Sequence, residues 1–370
     1  MGRAYDLVVV GSGIAGAMVA FYAKKFGLYV LILDRSQVAA SGGSGAAGAF
    51  IAPKLGKDTP LVNLTNLSFK YATNFYKKYF LDYFDNRGIV RLPKDKLDEQ
   101  NLSFYQQIIG AKSKILNPSE LKSFGLNCNL KGLYFKDGGV LDAQAICKAL
   151  VKDIEFSNIE VNSLEQKDGY ILINNSILAK KVVLATGYEG FSGLEYMGIK
   201  GLWGSRGDYY TNSDIKVCVH KNISISAKLN GVIKIGATHI RAKEPCKICN
   251  GKPLEKLEIE AKNMANLEDL KLKEIFCGYR STSKDYFPLI GRVIDTNFML
   301  QHYPQIKKGF SKAPLKYIDN LYVFNGLGGR GFVFAPLMAK WLVEFIYKKE
   351  SLNSIVNPDR LFLKWARRLK

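Results

Sequence analysis

The sequence predicts an α/β protein in which a Rossmann-like dinucleotide-binding domain is interleaved with an α+β substrate domain carrying a mixed sheet. Three observations predict it. Gly11 to Gly16 reads G-S-G-I-A-G, directly after the apolar run Leu7 to Val10 and directly before the helix-like stretch Ala17 to Lys25. A second apolar segment, Leu28 to Leu33, ends in the acid Asp34. At 370 residues and 47% hydrophobic, the chain is long enough for two domains with a large buried core.

The glycines match what the chemistry needs. Gly11 permits the tight turn, Gly13 lets backbone N–H groups approach a pyrophosphate, and Gly16 lets helix and strand pack. Ser12, Ile14 and Ala15 complete the helix N-terminus, whose partial positive charge favours phosphate. Asp34 lies 18 residues beyond Gly16, close to where an acid grips a ribose hydroxyl, and Arg35 adjoins it. A glycine-rich turn in an unrelated α/β protein need not combine strand, helix and acid.

Farther along, Ser41 to Gly48 reads S-G-G-S-G-A-A-G and runs into Ala49-Phe50-Ile51-Ala52-Pro53. Small residues in succession mark backbone against a flat or close neighbour, such as a cofactor ring or its phosphates. Ser41, Ser44, Gly45, Ala46, Ala47 and Gly48 are therefore cofactor-binding candidates; a flexible linker would lack the flanking apolar residues. Pro60 to Tyr79 has helical spacing, with its aromatics read as core.

Residues 85–137 form an α+β excursion in which Asn117-Pro118-Ser119-Glu120 starts a helix, and Gly138 to Ala143 leads into a helix from Ala145 to Asp153. Strands Ile159 to Leu164, carrying the candidate Val161, and Tyr170 to Asn174 flank the hairpin signal Asp168-Gly169. Val182 to Gly187 is a buried strand whose end, Ala185-Thr186-Gly187, permits close cofactor approach. From Gly201 to Phe276 the alternation is β-like, with a helix expected from Pro253 to Leu270. The chain is thus expected to weave, with 1–84, 138–200 and 277–370 forming the dinucleotide domain and 85–137 and 201–276 the substrate domain.

Lysine plus arginine number 53 against 33 acids, a formal charge of +20. Such a surplus favours salt-dependent association with polyanions, nucleic acid above all. Codon bias toward Lys, Asn, Ile and Tyr is the bland alternative, but it should raise Glu as well. No apolar run approaches the ~18 residues of a membrane span. Arg3 ahead of an apolar stretch superficially suggests a signal peptide, but Asp6 and the spaced glycines interrupt it; a cytoplasmic protein is expected. Cys246 and Cys249 form the one close cysteine pair. They read as half a zinc site with His239 or Cys277, or as a turn with two free thiols. With no second close pair, neither a metal nor a disulfide framework is expected.

Two late segments carry a family resemblance. Gly278 to Gly291 (G-Y-R-S-T-S-K-D-Y-F-P-L-I-G) and Asn325 to Phe332 (N-G-L-G-G-R-G-F), with Ala335-Pro336 beyond, resemble the D-amino-acid oxidase superfamily of flavoenzymes, which includes glycine oxidase and sarcosine oxidase. Within it, Ala40 to Asp58 and Gly326 to Ala339 resemble the FAD-dependent half of the MnmC-type bifunctional tRNA wobble-uridine modification proteins. Those proteins more often have a serine where Gly329 stands, and a Trp is common in the superfamily where Leu141 stands.

The resemblance implies a D-amino-acid oxidase-like fold: an FAD domain of the glutathione-reductase type, with the substrate sheet over the flavin. Ser41 to Gly48 and Gly326, Gly328, Gly329, Arg330, Gly331 and Phe332 would line the flavin. FAD is expected to be non-covalent, although Cys277 lies near the position where sarcosine oxidase-like relatives attach it. Arg280 would hold a substrate carboxylate bidentately, with Arg330 assisting it or contacting flavin; a salt bridge is the plain alternative for Arg280. Tyr209, Tyr210 and His239 are candidate pocket residues or satisfied core.

The reaction so implied is oxidation of the secondary amine of 5-carboxymethylaminomethyl(-2-thio)uridine in tRNA, giving glyoxylate and 5-aminomethyluridine. A fused or separate methyltransferase would act on the freed amine. A basic C-terminal helix, with Arg360, Lys364, Arg367, Arg368 and Lys370 interleaved with Phe362 and Trp365, fits tRNA or a solvated terminus. The alternatives are a free amino-acid oxidase acting on glycine, sarcosine or D-amino acids, and a non-catalytic FAD-containing tRNA-binding module.

Overall fold

The computed structural model describes residues 4–240, 249, 251–310 and 312–369. The apolar runs read as buried strands become the centre of a six-stranded sheet. Its order is Leu289–Ile294, Tyr317–Asn325, Val182–Leu184, Leu7–Val10, Val30–Asp34 and Glu155–Asn158. All pairings are parallel except that of the two late strands at one edge. Parallel strands buried on both faces need continuous apolar runs, and Leu7 to Val9, Val182 to Leu184 and Ile32 to Leu33 have no exposed surface.

The helix Ile14–Lys25 crosses back over this sheet and packs against the helix Gly331–Lys348, which also packs on the helix Pro60–Tyr79. Met18, Ala20, Phe69, Tyr76, Phe334 and Leu342 fill the space between them. Each fully buried large apolar side chain contributes about 1.5–3 kcal/mol. The long helix has its expected bounds: Pro60 stands in its first turn and the Thr59 side chain accepts from the Val62 amide. Asn117 and Glu120 form the expected reciprocal cap.

Two expected elements differ. The hairpin turn stands at Asp168-Gly169, both at positive φ, but its first strand is Leu164–Lys167. Residues 162 and 163 instead donate their amides to the Asn174 side chain. The helix expected to reach Leu270 spans Lys252–Lys262, because the next turn is drawn into pairing with a neighbouring loop. Asn127 donates to the Met264 carbonyl and Asn266 to the Gly125 carbonyl.

The second sheet has eight strands in the order Lys271–Thr282, Lys200–Tyr210, Val232–Gly236, Ser224–Ile225, Cys218–His220, Ile89–Arg91, Gly132–Phe135 and Ser113–Leu116. One face packs on the helix Lys252–Lys262 through Leu254, Leu257, Ile233 and Val219. Where this sheet meets the six-stranded one, Thr282 bridges to Leu327. Among the described residues no helix is long and apolar enough to cross a membrane.

Candidate active site

A cavity of about 770 Å³ opens where the two sheets meet, within the range of small-molecule and cofactor sites. Its floor is the first turn. A Cβ on Gly11 would stand 2.4 Å from the Ala185 carbonyl oxygen, and one on Gly16 would stand 1.8 Å from that of Gly11. These positions therefore exclude side chains, as expected, through contacts between chain segments. The Ile14 amide donates to the Ser44 Oγ at 2.9 Å, which ties the helix N-terminus to the small-residue loop.

Asp34 lies at the cavity wall and holds the turn closed. One carboxylate oxygen accepts from the amide and hydroxyl of Ser12, both at 2.7 Å, and the other from the Ser36 amide at 2.8 Å. Three acceptor positions are used, leaving capacity for a ribose hydroxyl. Arg35, also at the wall, pairs with Glu189 across the cavity.

The loop 41–48 meets protein backbone as well as cavity. A Cβ on Gly43 would stand 2.1 Å from the Tyr279 carbonyl oxygen, and one on Gly278 would stand 3.2 Å from Ala46 Cβ. The strand bearing Arg280 is thus pressed directly onto the loop. Arg206, buried in the adjacent strand, donates to the Ala47 carbonyl, lies 3.2 Å from Asp208 and stacks on the Phe276 ring. Asn325, 2% exposed, donates to the Gly187 carbonyl and accepts from Ser281 and the Gly326 amide. It joins the ends of three strands at the cavity wall.

The cations are the cavity's distinctive feature. Arg280 is half-buried, donates to the Thr238 carbonyl at 3.0 Å and forms no ion pair with a described residue; partial burial alone pushes it down to about 10. Arg330, at the start of the helix Gly331–Lys348, is likewise lowered by burial to about 10. Arg91 and Lys54 also line the cavity. Burial, then the Arg330 charge, lowers Arg91 to about 9; burial, then Arg330, Arg91 and Lys94, lowers Lys54 to about 8. Arg91 is 8% exposed and its Nε has no hydrogen-bond partner. Asp98 offsets part of the repulsion on Arg91, but none of the four cations forms an ion pair with a described residue, and partly desolvated cations of this kind suit an anion. His239, also at the wall, is held below the ordinary histidine range by burial and then by Arg280.

The structure brings most of the expected residues to this cavity. Gly11 to Ala15, Asp34, Arg35, Ser41, Ser44, Ala46 to Gly48, Val161, Ala185 to Gly187, Gly328 to Phe332, Arg280 and His239 all line it. Gly16, Gly45 and Gly326 lie behind the wall, packed on Gly11, Ala40 and Ser283. Tyr209 and Tyr210 stand elsewhere. Tyr209 is buried against the covering helix, donating to Glu258 at 2.9 Å, and Tyr210 is exposed. Lys54 and Arg91 are the residues that sequence reading missed.

The pair of free thiols is corrected. Cys249 is disulfide-bonded to Cys277, with Cα atoms 5.6 Å apart, a separation suited to the bond. The bond joins a loop to a strand 28 residues away, a pairing that local spacing cannot reveal. Cys246 lies outside the described residues.

A dinucleotide turn, a second glycine-rich wall from the far end of the chain and a sheet closing over both define an α/β fold of the flavin-dependent oxidoreductase type. The family model described as DAO, FAD dependent oxidoreductase, matches residues 6–345, and the chain belongs to that family. It is similar to solved structures of glycine oxidase from Bacillus cereus (TM-score 0.76, 19% identity, covering 94% of this chain and 96% of that one). It is also similar to L-proline dehydrogenase from P. horikoshii (TM-score 0.79, 18% identity, covering 97% and 98%).

Among curated proteins it is 26% identical over 96% of its length to the tRNA 5-methylaminomethyl-2-thiouridine biosynthesis bifunctional protein MnmC of Legionella pneumophila. The protein of the same name from Aeromonas salmonicida is 26% identical over 93% of this chain. The chain spans 57% and 56% of the length of those two relatives.

Proposed function

We propose that this chain oxidises the secondary amine of an N-substituted glycine, the 5-carboxymethylaminomethyl arm of a tRNA wobble uridine, with or without 2-thiolation. The observation that carries the reading is Arg280, a half-buried guanidinium at the cavity wall that meets a carbonyl and, among the described residues, no carboxylate. A substrate carboxylate completes its fork with two charge-assisted hydrogen bonds, fixing the adjacent methylene. The likeness to the MnmC proteins supports tRNA as the bearer of that arm.

The chain's residues fit FAD. Gly11 to Ala15 and Asp34 would hold its pyrophosphate and ribose, and loop 41–48 with Gly328 to Phe332 would border its flavin. The Cys277 sulfur is engaged by Cys249, which supports non-covalent binding. When bound, FAD supplies the acceptor for two electrons and a proton.

Around it, the protein's part is orientation and charge. Arg280 anchors the carboxylate. Lys54, Arg91 and Arg330 raise the positive potential, which draws the anion in and disfavours a second cation there, so the substrate ammonium sheds its proton. His239, largely neutral at neutral pH, adds little to that repulsion. The C–N bond of the arm is oxidised to an imine, and water divides it into glyoxylate and 5-aminomethyluridine. The freed primary amine is then open to a methyltransferase.

The test is to incubate the FAD-loaded protein with tRNA carrying the carboxymethylaminomethyl arm. Glyoxylate and loss of the carboxymethyl group, read by nucleoside mass spectrometry, are expected. Flavin bleaching by free glycine or sarcosine alone, with tRNA inert, would replace this reading with a free amino-acid oxidase. Binding of tRNA with no flavin reduction by either class would leave a non-catalytic module.

A further inference from the structure

Outside the cavity, one cluster of basic side chains forms no ion pair with a described residue. Lys200 begins the strand Lys200–Tyr210 and is in register with Thr282 at the end of the strand Lys271–Thr282. Lys284 follows two residues later, and Lys364 and Arg368 come from the C-terminal helix Asp359–Ala366 and the turn after it. All four are exposed. They share one surface: the C-terminal helix rests on the turn Glu195–Met197 through the Phe362 and Tyr196 rings, and a Cβ on Gly198, two residues before Lys200, would stand 3.9 Å from the Lys284 Cβ. Arg367, donating to the Gly309 carbonyl, carries the basic surface toward Lys307 and Lys308.

The acids nearest in the chain are engaged. Asp285 holds Arg360 at 2.8 Å, Asp359 accepts from Tyr317 at 2.7 Å, and Glu195 accepts from the Gly193 amide at 3.1 Å. The helix itself is anchored from beneath by Phe362, fully buried against Tyr196, so the cations stand on a fixed support. Single-sign surfaces of this kind repel themselves and are relieved by a polyanion.

The strip adjoins the cavity mouth. Thr282, Tyr286 and Tyr188 line the cavity. Tyr286 is 57% exposed at a φ of 66°, two residues beyond Lys284, and Tyr188 is 37% exposed with its ring 4.2 Å from that of Tyr279. Cations that track a backbone beside aromatic faces open to stacking are the pattern of single-stranded nucleic acid sites.

We infer that Lys200, Lys284, Lys364 and Arg368 form the footing for a single-stranded RNA loop, with an unpaired base against Tyr286 as the neighbouring nucleotide enters the cavity. The inference rests on the tRNA reading above and adds where the RNA lies. A base inside a duplex offers no free face for Tyr286, whereas an unpaired base in a loop does, so the partner proposed is a loop.

The test uses FAD-loaded protein, a synthetic unmodified anticodon stem-loop, fluorescence anisotropy and a salt series. The K284Q/K364Q/R368Q variant should bind at least about tenfold more weakly and flatten the log–log salt slope by about two to three, since each lost phosphate contact removes about 0.7–0.9. A K148Q/K152Q variant, at the exposed end of the helix Ala143–Val151, lowers net charge elsewhere and should stay within about twofold of wild type. Tyr286→Ala should weaken binding and Tyr286→Phe restore it, because stacking needs the ring and not the hydroxyl.

Wild-type affinity in the triple variant, an equal loss in the K148Q/K152Q control, or binding to phosphatidylglycerol vesicles with none to RNA would each overturn the footing. The two readings separate cleanly. If modified tRNA reduces the wild-type flavin while the triple variant binds RNA normally, the footing fails and the reaction stands. If the triple variant loses RNA while modified tRNA never reduces the flavin, the reaction fails and the footing stands.

Discussion

At the scale of single residues, the decisive groups are cations that form no ion pair with a described residue. Replacing Arg280 by Gln keeps a hydrogen-bond donor but removes the charge and the fork. Charge-assisted hydrogen bonds contribute about 1.5–3 kcal/mol, so kcat/KM for an N-substituted glycine should fall about 100-fold, with flavin content unchanged by absorbance. Arg280→Lys should recover little, because an ammonium cannot form the two parallel bonds.

Lys54 should set a pH limit. Lowered to about 8 by burial and the nearby guanidinium charges, it is cationic below that pH and neutral above it. Affinity for a small carboxylate inhibitor, measured by flavin difference spectra, should weaken as pH rises through about 8. Bound anion favours the ammonium and moves the limb upward in the complex. Lys54→Met should flatten the limb, leaving the affinity carried by the arginines, which keep their charge there.

At the scale of elements, the small-residue loop and the Arg280 strand form one unit. Gly43→Ala places a Cβ 2.1 Å from the Tyr279 carbonyl oxygen, and backbone must move to admit it. Overpacking of this kind costs about 1–3 kcal/mol, so Tm should fall by several degrees and the flavin-to-protein ratio should drop. Gly42→Ala, with nothing within 4 Å of the added atom, should leave Tm unchanged in the same melt.

The loop and the arginine were legible in the sequence because both sit in strings of unusual residues. Arg91 was not, since a polar residue between Val90 and Leu92 in a three-residue strand reads as ordinary outward alternation. Only the cover of a second sheet makes it buried. The misplaced tyrosines have a related cause: the pairing with the neighbouring strand shifts register between Asp208 and Tyr209, so alternation counted along the chain does not tell which face each side chain joins. Helix starts were readable from local caps at Thr59 and Asn117, whereas the early end at Lys262 depends on a loop from a distant part of the chain.

At the scale of the whole molecule, the cavity proposed for FAD is a joint between two sheets. A ligand that binds only the folded state stabilises it by about 2.7 kcal/mol at a concentration of 100 Kd. Stripping FAD should therefore lower Tm, and titrating it back should raise Tm continuously with FAD concentration in differential scanning fluorimetry. A Tm indifferent to FAD would mean that the folded chain does not bind it.

The order in which the chain leaves the ribosome meets this joint in an awkward way. The turn at Gly11 is half of a clasp whose other half, Gly328 to Phe332, is made only after about 310 further residues. Meanwhile the strand Leu7–Val10 must wait for Val182–Leu184, and that strand for Tyr317–Asn325. Through most of its synthesis the nascent protein exposes an apolar strand edge and has no place to keep the cofactor. Such an edge invites aggregation, and the cavity is complete only once both halves of the clasp have been made.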